Sequence, residues 1–257
     1  NQFHDILPGS SIRRVNQEAE ALHRQVIREA EQETTAAQQA LLRPDAGAIT
    51  VFNSLSWERT ALVPLPKSFA GARESGRALP VQAIDGVRYA EAVLPPCGWT
   101  TLTAAETVAA ESGSCGETRV LENEWIRAVF NARGEIATLL DKASGLNLAA
   151  APMNRFRLFR DVPRAFDAWD VDANYESFEV AVDEPALIET VASGPLAGVR
   201  RIIRRLGHST VTQEVWLRRG SRRLDFRTIV DWQEKHRLLK VAFPTTIHAQ
   251  EAVHEIQ

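Results

Sequence analysis

From Ile12 to Arg43 the chain carries neither glycine nor proline, and Pro44 ends the run. Nothing in such a stretch breaks a helix, so its apolar residues decide what the helix must pack against. Ile12, Val15, Ala19, Leu22 and Val26 recur at alternating steps of three and four, the seam of a helix laid on other helices. Glu18, Glu20, Arg24, Arg28, Glu29 and Glu31 cover the other faces, and Ala37, Ala40 and Leu41 continue the apolar side more weakly. Pro8-Gly9-Ser10-Ser11 reads as a turn ending in a serine N-cap, whose hydroxyl can satisfy the open N–H groups of the first turn. One helix cannot bury this seam alone. Its cover is expected from packed strands of this chain or from helices upstream, because the chain begins at Asn1 with no initiator Met or signal-like segment and reads as a piece of a longer polypeptide.

Beyond Pro44-Asp45-Ala46-Gly47 the period changes. Ile49–Pro66 is strand-like around an Asn53-Ser54 turn, and β-type segments follow near Val81–Ile84, Arg88–Leu94, Thr100–Leu102 and Arg119–Phe130. Residues 125–130, Asn131-Ala132-Arg133-Gly134 and residues 135–140 read as a hairpin with glycine at the tight position. Another turn is expected at Lys142-Ala143-Ser144-Gly145. Strands are then expected at Arg155–Phe159, Ser177–Val182, Ala186–Ser193, Gly198–Leu206, Ser209–Leu217, Leu224–Val230 and Leu238–Pro244. Gly71–Gly76 and Glu111–Gly116 are the linker or loop-tip candidates. Many short strands with Gly, Pro and Asp punctuation argue for packed antiparallel sheets. The expected fold is mainly β: a helical segment over 1–43, a small β domain over 44–112 and a larger antiparallel β-sandwich over 113–257.

Composition excludes several classes. A formal net charge of −3 provides no electrostatic reason to expect nucleic acid or an anionic membrane surface, and no apolar run approaches the length of a membrane span. The two cysteines, Cys97 and Cys115, do not make a disulfide scaffold; they could pair, but free thiols in a reducing compartment suit them better. The basic run Arg200-Arg201-Ile202-Ile203-Arg204-Arg205 reads as solvated strand faces and turns rather than a phosphate patch. No Gly-rich phosphate loop, nucleophile elbow or dinucleotide fingerprint occurs.

Two segments could carry chemistry. His4-Asp5 precedes a Pro-Gly turn at the mouth of the helix, where the imidazole could bind a metal and the carboxylate could meet a polyhydroxyl ligand; both residues could equally be surface or capping groups, and one His is no metal site. His23, His208, His236, His248 and His254 read as surface or structural. The stretch from Asp161 to Asp170 crowds Asp161, Asp167 and Asp170 with Phe166 and Trp169 and lacks strand alternation, so it is expected to be an ordered loop. Carboxylates beside an indole face are a common way to hold sugars, acids meeting hydroxyls and C–H faces stacking on the ring. Asp167 and Asp170 could be such a pair, or could cap, turn, or bridge to Arg160 and Arg164.

Several segments together resemble the glycoside hydrolase family 38 α-mannosidases, of the bacterial and cytosolic/vacuolar type. They are Gln2-Phe3-His4-Asp5-Ile6-Leu7-Pro8-Gly9-Ser10-Ser11, the stretch from Val51 to Arg59, Leu121-Glu122-Asn123-Glu124-Trp125, Asp167-Ala168-Trp169-Asp170, Asp231-Trp232 and the stretch from Leu239 to Pro244, in the family's order. The resemblance covers the end of the helical bundle and the β-sandwich region. It implies a zinc-dependent, retaining glycosidase acting on mannose-containing oligosaccharides, with a cytoplasmic location. It makes His4 the last zinc ligand, Asp5 a sugar contact, and Asp167, Trp169 and Asp170 substrate-contacting candidates. The nucleophile, acid/base and remaining zinc ligands are expected in an N-terminal catalytic domain of the same protein, so this chain alone is expected to be inactive and to hold zinc weakly. The alternatives are a non-catalytic β-sandwich module for carbohydrate binding or domain packing, and a scaffold that self-associates through its exposed helix.

Overall fold

The computed structural model describes residues 11–42, 45–106, 117–166 and 169–251. Among the described residues one α-helix, α1 (Arg13–Leu41), is followed by antiparallel sheet. The helix starts one residue later than the serine-cap reading expects. Ile12 occupies the cap position, with extended backbone and no side-chain cap, because its carbonyl is the one that accepts the first helical bonds, from Val15 and Asn16. Ser11 sits one residue too early and its hydroxyl meets the Asn16 side chain instead. Arg14–Glu18 and Arg24–Glu20 pairs, 2.7 and 2.6 Å, lace the polar face at i,i+4 spacing. Of the seam, only Ala19 is buried.

The next seven strands are β1 (Ala48–Asn53), β2 (Arg59–Pro64), β3 (Gly71–Glu74), β4 (Arg77–Ala78), β5 (Val81–Ile84), β6 (Val87–Leu94) and β7 (Gly98–Ala105). They make two sheets, β1-β7-β3-β4 and β2-β6-β5, around a core that includes Leu65, Phe69, Ala72, Ala90, Leu94 and Leu102. β1 and β2 diverge into different sheets because Asn53 turns the corner between them. Its buried amide donates to the carbonyls of Trp57 and Pro95, both at 2.9 Å, and accepts from the Leu55 N–H. The expected linker at Gly71–Gly76 is mostly strand: β3 pairs with β7, and Ala72 is fully buried. Only Ser75 and Gly76, both at positive φ, form the turn into β4. Small residues that look like a linker are here the only ones that fit beneath the core.

The remaining strands are β8 (Val120–Glu122), β9 (Ile126–Phe130), β10 (Ile136–Asp141), β11 (Leu146–Asn147), β12 (Arg155–Arg160), β13 (Glu179–Val180), β14 (Leu187–Ser193), β15 (Ala197–Leu206), β16 (Ser209–Arg218), β17 (Leu224–Asp231) and β18 (Arg237–Ala242). Sheet β11-β10-β9-β8 faces sheet β14-β15-β16-β17, and Leu121, Ala128, Phe130 and Ile136 pack with Ile202, Val215 and Leu217 between them. The third sheet, β13-β12-β18, carries the loop described below. The β9–β10 hairpin forms as expected, with Gly134 at φ +72. The single strand expected over Arg119–Phe130 is broken by Asn123, whose Oδ1 accepts from Trp125 and Ile126 N–H groups and whose amide donates to Arg218 and Ser221 carbonyls. The strand expected at Ser177–Val182 is a short helical turn over Tyr175–Phe178 followed by β13.

The two β units meet through Ile84, Ala192, Ala197 and Val199. Gln82 clamps this junction: its amide donates to the Ala197 carbonyl at 2.7 Å and accepts from the Leu196 and Ala197 N–H groups at 2.8 and 2.9 Å. A Cβ on Gly194 would lie 2.5 Å from the Gln82 amide carbon, so glycine is what lets the clamp close.

Candidate functional site

The acidic-aromatic stretch leaves the end of β12 as an ordered loop, tied at its start by the Asp161 N–H to the His236 carbonyl at 3.0 Å. Phe166 takes a left-handed backbone, φ +54, and its carbonyl accepts both the Trp169 and Asp170 N–H groups, at 2.6 and 2.8 Å. That tight turn presents the Trp169 indole, 55% exposed, beside an exposed Asp170. Asp167 lies outside the described residues. Beside the loop a cavity of about 250 Å³ is lined by Arg160, Asp161, Arg164, Asp172, Asn174 and Tyr175, among others. This is below the roughly 300–1,000 Å³ of drug-sized pockets, a size suited to one sugar ring. Among the described residues neither Arg160 nor Arg164 makes an ion pair, so the expected bridges from Asp170 to these arginines are not formed.

The floor of this site is rigid. Tyr175 packs edge-on against Phe159 at 5.1 Å, with the Lys240 ammonium 4.5 Å from its ring centroid. Arg157 grips Glu179 with two nitrogens, at 3.1 and 2.8 Å, and this hydrogen bonding holds the Glu179 carboxyl below its ordinary value and raises Arg157. The cavity offers donors, acceptors and aromatic faces.

His4 and Asp5 lie outside the described residues, as do His254 and Cys115. Among the described residues no group of three or more His, Cys, Asp or Glu side chains could hold a metal, so these residues alone do not fit a zinc ion. Cys97 is an exposed free thiol. His208 sits in the β15–β16 turn, where its N–H meets Glu234.

The basic run departs from the solvated-face reading. Arg201 and Arg205 face outward, but Arg200 and Arg204 are buried, at 2% and 6% exposure. Arg200 donates to the carbonyls of Thr118, Val120, Glu117, Ala192 and Val199. Arg204 donates to the Gln213 side chain and to the Arg133 and Gly134 carbonyls, pinning the β9–β10 hairpin. Burial pushes the Arg204 guanidinium down to about 10, which leaves it charged at neutral pH. The signal was present: Arg200, Ile202, Arg204 and Leu206 share one face of the strand by parity, and two of the four are apolar. Gln82 and Asn123 carried no such signal.

Residues 121–257 match the family model described as the glycosyl hydrolases family 38 C-terminal domain. The whole chain aligns with "Alpha-mannosidase 2C1" of Homo sapiens at 32% identity over 263 residues, and of Mus musculus at 31% over 263 residues. It aligns with "Alpha-mannosidase G" of Dictyostelium discoideum at 24% over 304 residues. Each alignment covers 100% of this chain and 25%, 25% and 28% of the respective relative, so the chain spans about a quarter of the length of the proteins it matches. A helix leading into antiparallel sandwich sheets, with the match running from β8 onward, makes this chain a member of glycosyl hydrolase family 38.

Proposed function

We propose that the chain forms the helix-and-sandwich part of an α-mannosidase and contributes a glycan-contacting loop, Trp169 with Asp170, to it. The observation that carries this reading is the Phe166 turn, which holds an exposed indole next to an exposed carboxylate on a loop whose first residues, Asp161 and Arg164, line a ring-sized cavity. The indole stacks on a sugar C–H face, and Asp170 accepts from hydroxyls. Asp167 belongs to the same proposed contact set. No catalytic nucleophile or acid/base is assigned to this chain; a retaining double displacement would draw them from the rest of the protein.

His4 is proposed as one zinc ligand and Asp5 as a sugar contact. A bound zinc would supply Lewis-acid polarisation of sugar hydroxyls. The chain alone is expected to show no turnover of an aryl α-mannoside and to retain little zinc after dialysis, measured as metal content.

In the full-length protein, Trp169→Ala and Asp170→Asn are each expected to lower kcat/KM for an aryl α-mannoside about tenfold, ~1.4 kcal/mol. Unchanged kinetics in both variants would remove the loop from the site. A non-catalytic glycan-binding module is favoured instead if Trp169→Ala abolishes zinc-free binding of mannose oligosaccharides by this chain while leaving turnover by the full-length protein unchanged, since the Trp169 loop needs no metal.

A further inference from the structure

The outer face of the first sheet carries a second arrangement with the chemistry of a sugar platform. Along β7, Trp99, Thr101 and Thr103 point outward while Thr100 and Leu102 are buried. β1 places Phe52 opposite Trp99 and Thr50 opposite Thr101, so the two strands present an aromatic pair followed by a hydroxyl pair on one face. The Trp99 ring is 51% exposed and braced by Phe52 at 5.8 Å between centroids. The Thr50 and Thr101 hydroxyl oxygens lie 3.1 Å apart, and that mutual bond fixes their orientation while leaving a donor and several lone pairs open. A cleft of about 820 Å³ runs over Trp99, Thr50 and Thr101, walled by Asp45 and Ala46 and by the last turn of α1.

We propose that this face is a second glycan-contacting surface, binding a neutral mannose oligosaccharide across Trp99, Thr101, Thr50 and Asp45. Among the described residues the cleft's lining holds no lysine or arginine, and its ionisable group is Asp45, whose Oδ1 already accepts the Gly47 N–H. A polyol meets hydroxyls, a carboxylate oxygen and a flat apolar ring there. The groups sit on paired strands, so little side-chain freedom is lost on binding. The cleft is some three times the volume of the cavity beside Trp169, on the same measure, and so has room for more than one ring. The choice of a mannose ligand rests on the function proposed above; the platform itself rests on the sheet.

The test is a titration of this chain, with 15N-labelled tryptophan, by α-mannotriose, its indole resonances assigned by single Trp→Phe variants. The expected result is a saturable shift of the Trp99 indole. Trp99→Ala is expected to weaken that event about tenfold and Thr101→Val, which keeps the shape and removes the hydroxyl, a few-fold; Trp169→Ala leaves it intact. Unchanged resonances elsewhere show that the exposed-site variants still fold. A shift at Trp169 with none at Trp99 overturns the second surface and keeps the proposed function. A shift at Trp99 alone keeps the surface and counts against the Trp169 loop. No shift at either overturns both glycan assignments. Broadening with protein concentration, sugar absent, that is confined to Trp99 and persists in Leu22→Glu/Val26→Glu marks a face for a second protein copy and overturns the proposal.

Discussion

Helix α1 and strand β15 are both amphipathic in sequence, yet one is left bare and the other is enclosed from both sides. Along α1 only Ala19 is buried, and Leu22 and Val26 remain 54% and 55% exposed. In β15, Ala197 and Val199 press on the first β unit while Ile202, on the opposite face, enters the sandwich core. An apolar pattern states which residues seek cover; it does not state what supplies it. The contrast extends to charge. On the helix, arginine pairs with glutamate in water, where such pairs contribute ~0.3–0.5 kcal/mol. On the strand, arginine is spent inside, donating to backbone carbonyls of distant segments.

The sharpest test of that contrast is Arg200→Leu. It keeps bulk in the core but removes the arginine donor from five carbonyls, of which Glu117 keeps the Val120 N–H, and each buried polar group left bare costs about 1–3 kcal/mol. A loss on the order of 4 kcal/mol in urea unfolding is expected. Arg201→Leu one residue on, which removes partly exposed pairs with Asp85 and Glu214, should cost under about 1 kcal/mol. Equal losses at the two positions would erase the distinction between the faces.

Gln82→Ala comes next. It uncaps the Leu196 and Ala197 N–H groups and the Ala197 carbonyl, at an expected cost of about 2 kcal/mol. Because the clamp joins the two β units, probes in each should separate, the Tyr89–Trp216 contact across the junction being lost before the sandwich core melts. Coincident transitions in the variant would mean that the apolar junction alone couples them.

Much of this was legible from residue types, and the failures have a common cause. Strand β5 falls where alternation and flanking turns place it, and the β9–β10 hairpin where Gly134 places it, because these signals act within a few residues. Gly71–Glu74 was hidden because strand β3 depends on pairing with β7, some thirty residues on. The burial of Arg200 was readable from strand parity, but its partners were hidden because Glu117, Thr118 and Val120 lie some eighty residues back. Of the candidate site, the loop and its exposed tryptophan were readable from local crowding of acids and aromatics. The cavity beside it was not, since Asp172, Asn174 and Tyr175 reach it only through the helical turn that replaces the expected strand.

A smaller effect separates the sheet under that loop from the open helix surface. Hydrogen bonding by Arg157 holds the Glu179 carboxyl below its ordinary value of 4.5. A depressed carboxyl contributes stability that is present above 4.5 and lost as pH falls through the folded value. The stability difference between the native chain and Arg157→Ala should therefore be full at neutral pH and close below that folded value. In the variant, the Glu179 carboxyl resonance should titrate higher. A difference that persists unchanged into strong acid would assign Arg157 a packing role over Phe159 rather than an electrostatic one.

The last test concerns the bare helix, where the expected change in stability is smallest. Leu22→Glu with Val26→Glu touches two exposed side chains that cover nothing among the described residues, so the stability should change by no more than about 0.5 kcal/mol. The seam remains an apolar stripe of Ile12, Leu22 and Val26 open to water, and such stripes pair. Sedimentation of this chain should show self-association rising with concentration, abolished in the double variant. A native chain that stays monomeric over a wide concentration range would count against helix pairing. A double variant that unfolds several degrees lower would show that the seam is covered within the chain, and the contrast with β15 would vanish.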